Sequence, residues 1–170
     1  MMSFRDEIPA MLPGPETKAL TPLTFLFEEF IAAEMAAGRI KGPIAHKQAK
    51  VLLHGHCHQK SFGAMPATLK ALSLVQGFDV SLVETSCCGM AGSFGYQTET
   101  YATSIAMAEL SLLPAVRAAS AGTILAADGF SCRHQIADGT GRKPQHVASV
   151  LRAALAQAAP SDAKMRETAV

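Results

Sequence analysis

Three short apolar runs punctuate this chain: Val51-Leu52-Leu53-His54, FDVSLVE over 78–84 and TILAA over 123–127. Each is followed by a stretch of helical periodicity. Strands that alternate with helices in this way run parallel, and their crossovers cover both faces of one sheet. The sequence therefore predicts a three-layer α/β fold with a mainly parallel sheet. An apolar content of 49% in 170 residues is enough for one such core.

Helices fill the intervals. Met65 to Val75 reads as a helix stopped by Gly77, and residues 98–118 as a helical stretch interrupted at Pro114. Residues 132–138 read as a short helix, and Ala148 to Ala158 as an alanine-rich last one. Gln145-His146-Val147 is either a short edge strand or the start of that helix. Upstream, Thr21-Pro22 reads as an N-cap followed by proline at the first helical position. Leu23, Phe27, Phe30, Ile31 and Met35 then recur at helical spacing up to Gly38. A shorter helix is expected over 3–12, before Pro13-Gly14. This divides the chain into a helical lead-in (1–48), a cysteine-rich α/β domain (49–159) and a loose polar tail (160–170).

The four cysteines all follow strands. Cys57 comes after the run ending at His54, Cys87 and Cys88 after the run ending at Glu84, and Cys132 after the run ending at Ala127. In an open parallel sheet, the loops at the carboxyl ends of the strands gather on one edge and form the ligand crevice. A lone free cysteine is most often a small buried hydrophobe. Four thiols in post-strand loops, two of them adjacent, point instead to a metal or redox site. A disulfide between Cys87 and Cys88 would close a strained ring.

Two metal readings stay open. Four thiolates can hold zinc, although zinc pairs usually have two or more residues between ligands. An iron–sulfur cluster presents several irons, so adjacent thiolates can bind different ones. The loop SCCGMAGSFG (86–95) suits an anionic centre, because Gly89 and Gly92, with Gly95, let backbone N–H groups turn inward. As a phosphate loop it is weak, with no Lys-Ser/Thr after the glycines.

The net charge of +1 gives no reason to expect nucleic acid or an acidic membrane surface as partner. No apolar run reaches the roughly 20 residues that span a bilayer. The start, MMSFRDEIPAMLPG, does not read as a signal peptide. The expected location is the cytoplasm or the cytoplasmic side of a membrane, where thiols stay reduced.

HGHCHQK (54–60), SCCGMAGSFGY (86–96) and GFSCRHQI (129–136) together resemble the cysteine-rich CCG domain. That domain occurs in the B subunit of heterodisulfide reductase, in the C subunit of anaerobic glycerol-3-phosphate dehydrogenase and at the C-terminal end of large FAD-linked oxidases of the D-lactate and D-2-hydroxyacid dehydrogenase type. The resemblance runs over roughly residues 3 to 155. It implies electron transfer, with Cys57, Cys87, Cys88 and Cys132 as ligands of a [4Fe–4S]-type cluster or, in some relatives, zinc. FAD would sit on a partner or on another domain, with a quinone or other acceptor downstream. The fuller pattern ends in Cys-x-x-Cys, whereas Cys132-Arg133-His134-Gln135 has one cysteine. His56, His58 and His134 are therefore candidates to complete the cofactor site or to hydrogen-bond its ligands.

Such proteins usually carry two CCG repeats beside ferredoxin-like motifs and a flavin domain. This sequence resembles the second repeat alone. The resemblance then implies an exposed apolar surface and a partner, either a flavoprotein or first repeat on another chain, or a second copy. Membrane contact would be peripheral, through partners. The chain alone is not expected to turn over a hydroxy acid. The other readings are a zinc-stabilised structural or docking domain with no redox role, and a metal-free redox thiol protein.

Overall fold

The computed structural model describes residues 2–85 and 87–158. The loose tail expected after Pro160 lies outside them. The elements run α1 (Glu7–Met11), α2 (Pro15–Leu20), α3 (Phe27–Ala36), β1 (Ile44–His54), α4 (Cys57–Ser61), α5 (Met65–Leu72) and β2 (Val75–Leu82). Then follow α6 (Thr98–Glu109), α7 (Leu112–Ala118), β3 (Ile124–Ala127), α8 (Phe130–Thr140) and α9 (Val147–Ala158).

The chain forms two units, one over Met1–Lys41 and His58–Ala71 and the other over Gly42–Cys57 and Leu72–Val170. The second holds a three-stranded, fully parallel sheet in the order β2-β1-β3. Helices flank it, giving the expected α/β architecture. α9 packs on β1 and β3, while α8 packs on β3 and α7. The central strand β1 is buried at Val51, Leu53 and His54, as a strand covered on both faces must be. An apolar cluster of Val83, Met90, Leu112, Val116, Leu125, Ala127 and Ile136 fills this unit and also contains Cys88 and Cys132.

Several elements differ from their expected bounds. The sheet begins earlier: β1 starts at Ile44 rather than Val51, because IAHKQAK pairs with β2 despite lacking apolar alternation. Its register slips between Ala45 and Ala49, while β2 advances only from Gln76 to Phe78. Gly77 is therefore a strand residue opposite a bulge and not a helix stop. Its φ is +110°, and a Cβ there would stand 2.4 Å from the His46 carbonyl oxygen. Gly77→Ala is expected to lower stability by about 2 kcal/mol, read as a lower urea midpoint at unchanged slope. An unshifted midpoint would mean that the bulge yields freely.

Upstream, Thr21 does not cap the helix that follows it. Its hydroxyl bonds back to the Thr17 carbonyl at 3.0 Å and closes α2. α3 starts only at Phe27, where the Glu29 carboxylate accepts the Leu26 N–H at 2.8 Å and the Arg5 guanidinium at 2.9 and 3.0 Å. The expected single helix over 3–12 is a short 3-10 turn (Met2–Phe4) followed by α1. The break in 98–118 falls between Glu109 and Leu112. Pro114 sits in the first turn of α7, where its missing N–H has no partner to lose. Gln145 makes an isolated parallel bridge with Ala126, and α9 follows at once.

Candidate metal centre

The carboxyl ends of β1 and β3 meet at the pair His54–Ala127. Cys57 opens α4 just beyond His54, and Cys132 sits in the first turn of α8 just beyond Ala127. Two of the thiols expected in loops thus stand in helical first turns. Cys87 and Cys88 lie on the segment after β2. All four cysteines are free thiols.

Their exposure is graded. Cys132 (0% exposed) and Cys88 (1%) form a dry floor, Cys87 is half-buried, and Cys57 is exposed. The Sγ atoms of Cys88 and Cys132 and a ring nitrogen of His54 all lie within 4.8 Å of one another. The His56 Nδ1 lies 3.4 Å from the Cys132 Sγ and 3.9 Å from the Cys57 Sγ, so one imidazole spans two thiols.

The electrostatics show how close the sulfurs are. A hydrogen bond from the Cys132 thiol lowers the Cys88 pKa well below the usual thiol range, and His54 adds to this pull against burial. The bond that Cys132 donates to Cys88, its burial and the charges of Cys88, Cys57 and Cys87 all push its own pKa upward. Burial also pushes Cys87 up, opposed by the Gly89 N–H, which donates to its Sγ at 3.4 Å.

The glycine loop is seated by close approach. Gly89 has φ +85°, and a Cβ on it would stand 2.1 Å from the Ser104 carbonyl oxygen of α6. Gln135 of α8 donates to that same carbonyl at 3.3 Å and lies near the Ser104 hydroxyl at 3.1 Å. Gln135 is three residues past Cys132, on the same helix face. Gly92 has φ +55° and open space around it. Beneath the site, a Cβ on Gly129 would come within 2.8 Å of the Cys132 Sγ and 2.9 Å of the His56 ring.

Of the candidate histidines, His56 stands among the thiols. His58 belongs to the other unit, where its Nε2 lies 3.4 Å from Asp6 Oδ2 and its ring tilts against Phe62. His134 is exposed and stacks on Phe130 with ring centroids 4.4 Å apart. Arg133, beside Cys132, spends its guanidinium on the Ala127 and Asp128 carbonyls at 2.9 and 2.7 Å. His54 was not among the candidates. The residue ending a central strand at the crevice was the signal that could have found it. A set of thiols, one with a lowered pKa, beside an imidazole suits a thiophilic metal or cluster.

No family model matches the chain, and no solved structure matches it. Two relatives do. It is 28% identical over 156 residues, 91% of this chain, to the C subunit of anaerobic glycerol-3-phosphate dehydrogenase from Escherichia coli (strain K12). It spans 38% of that protein's length. It is 33% identical over 90 residues, 51% of this chain and 9% of the other, to D-2-hydroxyglutarate dehydrogenase of the same organism. The chain is thus similar to parts of both dehydrogenases, and this similarity supports the CCG resemblance of its three cysteine motifs.

Proposed function

We propose that this chain is an iron–sulfur electron-transfer module, the second CCG repeat of an FAD-linked dehydrogenase acting on a 2-hydroxy acid. The observation that carries the reading is the convergence of Cys57, Cys87, Cys88 and Cys132 at one sheet edge. The names of the two relatives add support, since both describe dehydrogenases. Oxidising a secondary alcohol to a ketone releases two electrons and two protons, here at a flavin on another domain or chain. A bound iron–sulfur cluster would supply one-electron carriage towards a quinone or similar acceptor.

This chain's own residues have simpler tasks. The four thiolates would hold the cluster, and the Gly89 N–H and His56 would hydrogen-bond sulfur and tune the potential. Burial among Met90, Leu125 and Ile136 keeps water from the floor. The partner would be a flavoprotein or first repeat, and Met11 (76% exposed) and Leu23 (71%) offer apolar surface to it. No helix among the described residues is long and apolar enough to cross a membrane.

A second reading, a zinc-stabilised docking domain, is favoured by the compact nitrogen-and-sulfur group of His54, Cys88 and Cys132. Iron and acid-labile sulfide in anaerobically purified protein decide between them. Several irons with matching sulfide, lost in Cys87→Ser, are expected. One zinc without sulfide would replace the redox reading with the structural one.

A further inference from the structure

We propose that His54 is itself a metal ligand, forming with Cys88 and Cys132 a buried face of one nitrogen and two sulfurs for a thiophilic metal, either an iron of a cluster or zinc. Resting on the metal-centre reading, this assignment goes beyond it by naming a donor outside the cysteine motifs.

The imidazole of His54 is 2% exposed, and among the described residues neither ring nitrogen is hydrogen-bonded to nitrogen or oxygen; the group it acts on is the Cys88 sulfur. Leaving a buried polar atom unsatisfied costs about 1–3 kcal/mol. The buried amides are paired: Gln135 bonds Ser104 at 3.1 and 3.3 Å, and Gln59 bonds Thr68 at 2.8 Å. His54 instead stands within 4.8 Å of two buried sulfurs.

Ladder geometry puts it there. His54 pairs with Ala127 at the end of the β1–β3 register, so the sheet sets the spacing between His54 and the turn that carries Cys132. The other histidines are engaged differently. His56 reaches Cys132 and Cys57 from a half-buried position and fits a hydrogen-bonding role. His134 stacks on Phe130, and His58 lies beside Asp6. Imidazole nitrogen and thiolate sulfur are a donor set that zinc and iron both accept.

The test uses the whole chain, labelled with ¹⁵N-histidine and loaded anaerobically with ferrous iron plus sulfide in one sample and zinc alone in another. Pulsed EPR of the reduced iron sample reads nitrogen coupling to the metal. X-ray absorption of the zinc sample reads imidazole in its coordination shell. Wild type and His56→Ala are expected to show one directly bound imidazole nitrogen, and His54→Ala to lose it with about 100-fold weaker zinc binding. His54→Cys, which supplies a thiolate instead, is expected to recover binding within about tenfold without the nitrogen signal. The wild-type signal requires no variant to fold.

Loaded wild type without a bound nitrogen overturns the ligand and leaves the metal centre standing. A signal that survives in His54→Ala and vanishes in His56→Ala overturns it in favour of His56. Nitrogen-bound zinc in the one sample, with no cluster formed from iron and sulfide in the other, upholds His54 while ending the iron–sulfur reading. Failure to load any metal ends both.

Discussion

Gly89→Ala is expected to lower the thermal midpoint of the metal-free chain by about 8–12 °C, from a loss of about 3–4 kcal/mol. Two costs act together. The backbone there has φ +85°, a region that side chains rarely adopt. The new Cβ would also meet the Ser104 carbonyl oxygen at 2.1 Å. That carbonyl cannot retreat cheaply, because Ser104 is fully buried and already accepts from Gln135. The control is Gly92→Ala, with φ +55° but nothing within 4 Å, for which about 1 kcal/mol is expected. Calorimetry of both variants separates conformational strain from collision. Equal shifts would mean that contact with α6 contributes nothing.

The second large effect concerns Cys132. Cys132→Ser is expected to reduce bound metal after gel filtration to less than about a tenth of wild type, and to abolish the stabilisation that metal confers. Metal at a thousand times its dissociation constant stabilises a folded chain by about 4 kcal/mol, and the variant forfeits that gain. Cys132 is chosen for its position: fully buried, hydrogen-bonded to Cys88 and 3.4 Å from His56. A serine hydroxyl is a harder, poorer donor for a thiophilic metal. Exposed Cys57, at the rim, is expected to be less costly to replace. Wild-type metal content in Cys132→Ser would remove that residue from the ligand set.

Much of this was legible in the sequence, and the exceptions have physical causes. Val51 to His54 and Thr123 to Ala127 stood out because a strand buried on both faces must be apolar throughout. The first half of β1 did not, since IAHKQAK is held by backbone pairing to β2 and carries no apolar pattern. Gly77 resembled a helix stop because a positive φ serves a helix end and a bulged strand equally. Thr21-Pro22 carried a local capping signal that the Thr17 and Leu26 contacts overrode. At the site, strand-then-cysteine spacing brought out the four thiols. It could not show that Cys57 and Cys132 open helices, nor that His54 turns inward among the sulfurs. Those facts depend on where three distant segments meet.

That meeting has a practical corollary. In a zinc knuckle the donors sit a few residues apart, so a short peptide carries the whole site. Here His54 ends β1, Cys88 follows β2 and Cys132 follows β3, and the ladder from Val51–Ile124 to His54–Ala127 aligns the first and last of these at a common edge. The unit of transplantation is therefore the sheet margin itself. A synthetic SCCGMAGSFG peptide brings two donors without the frame that spaces them from the rest. Sliding β3 by one residue along β1 would turn its side chains to the opposite face and dismantle the constellation without altering a single cysteine.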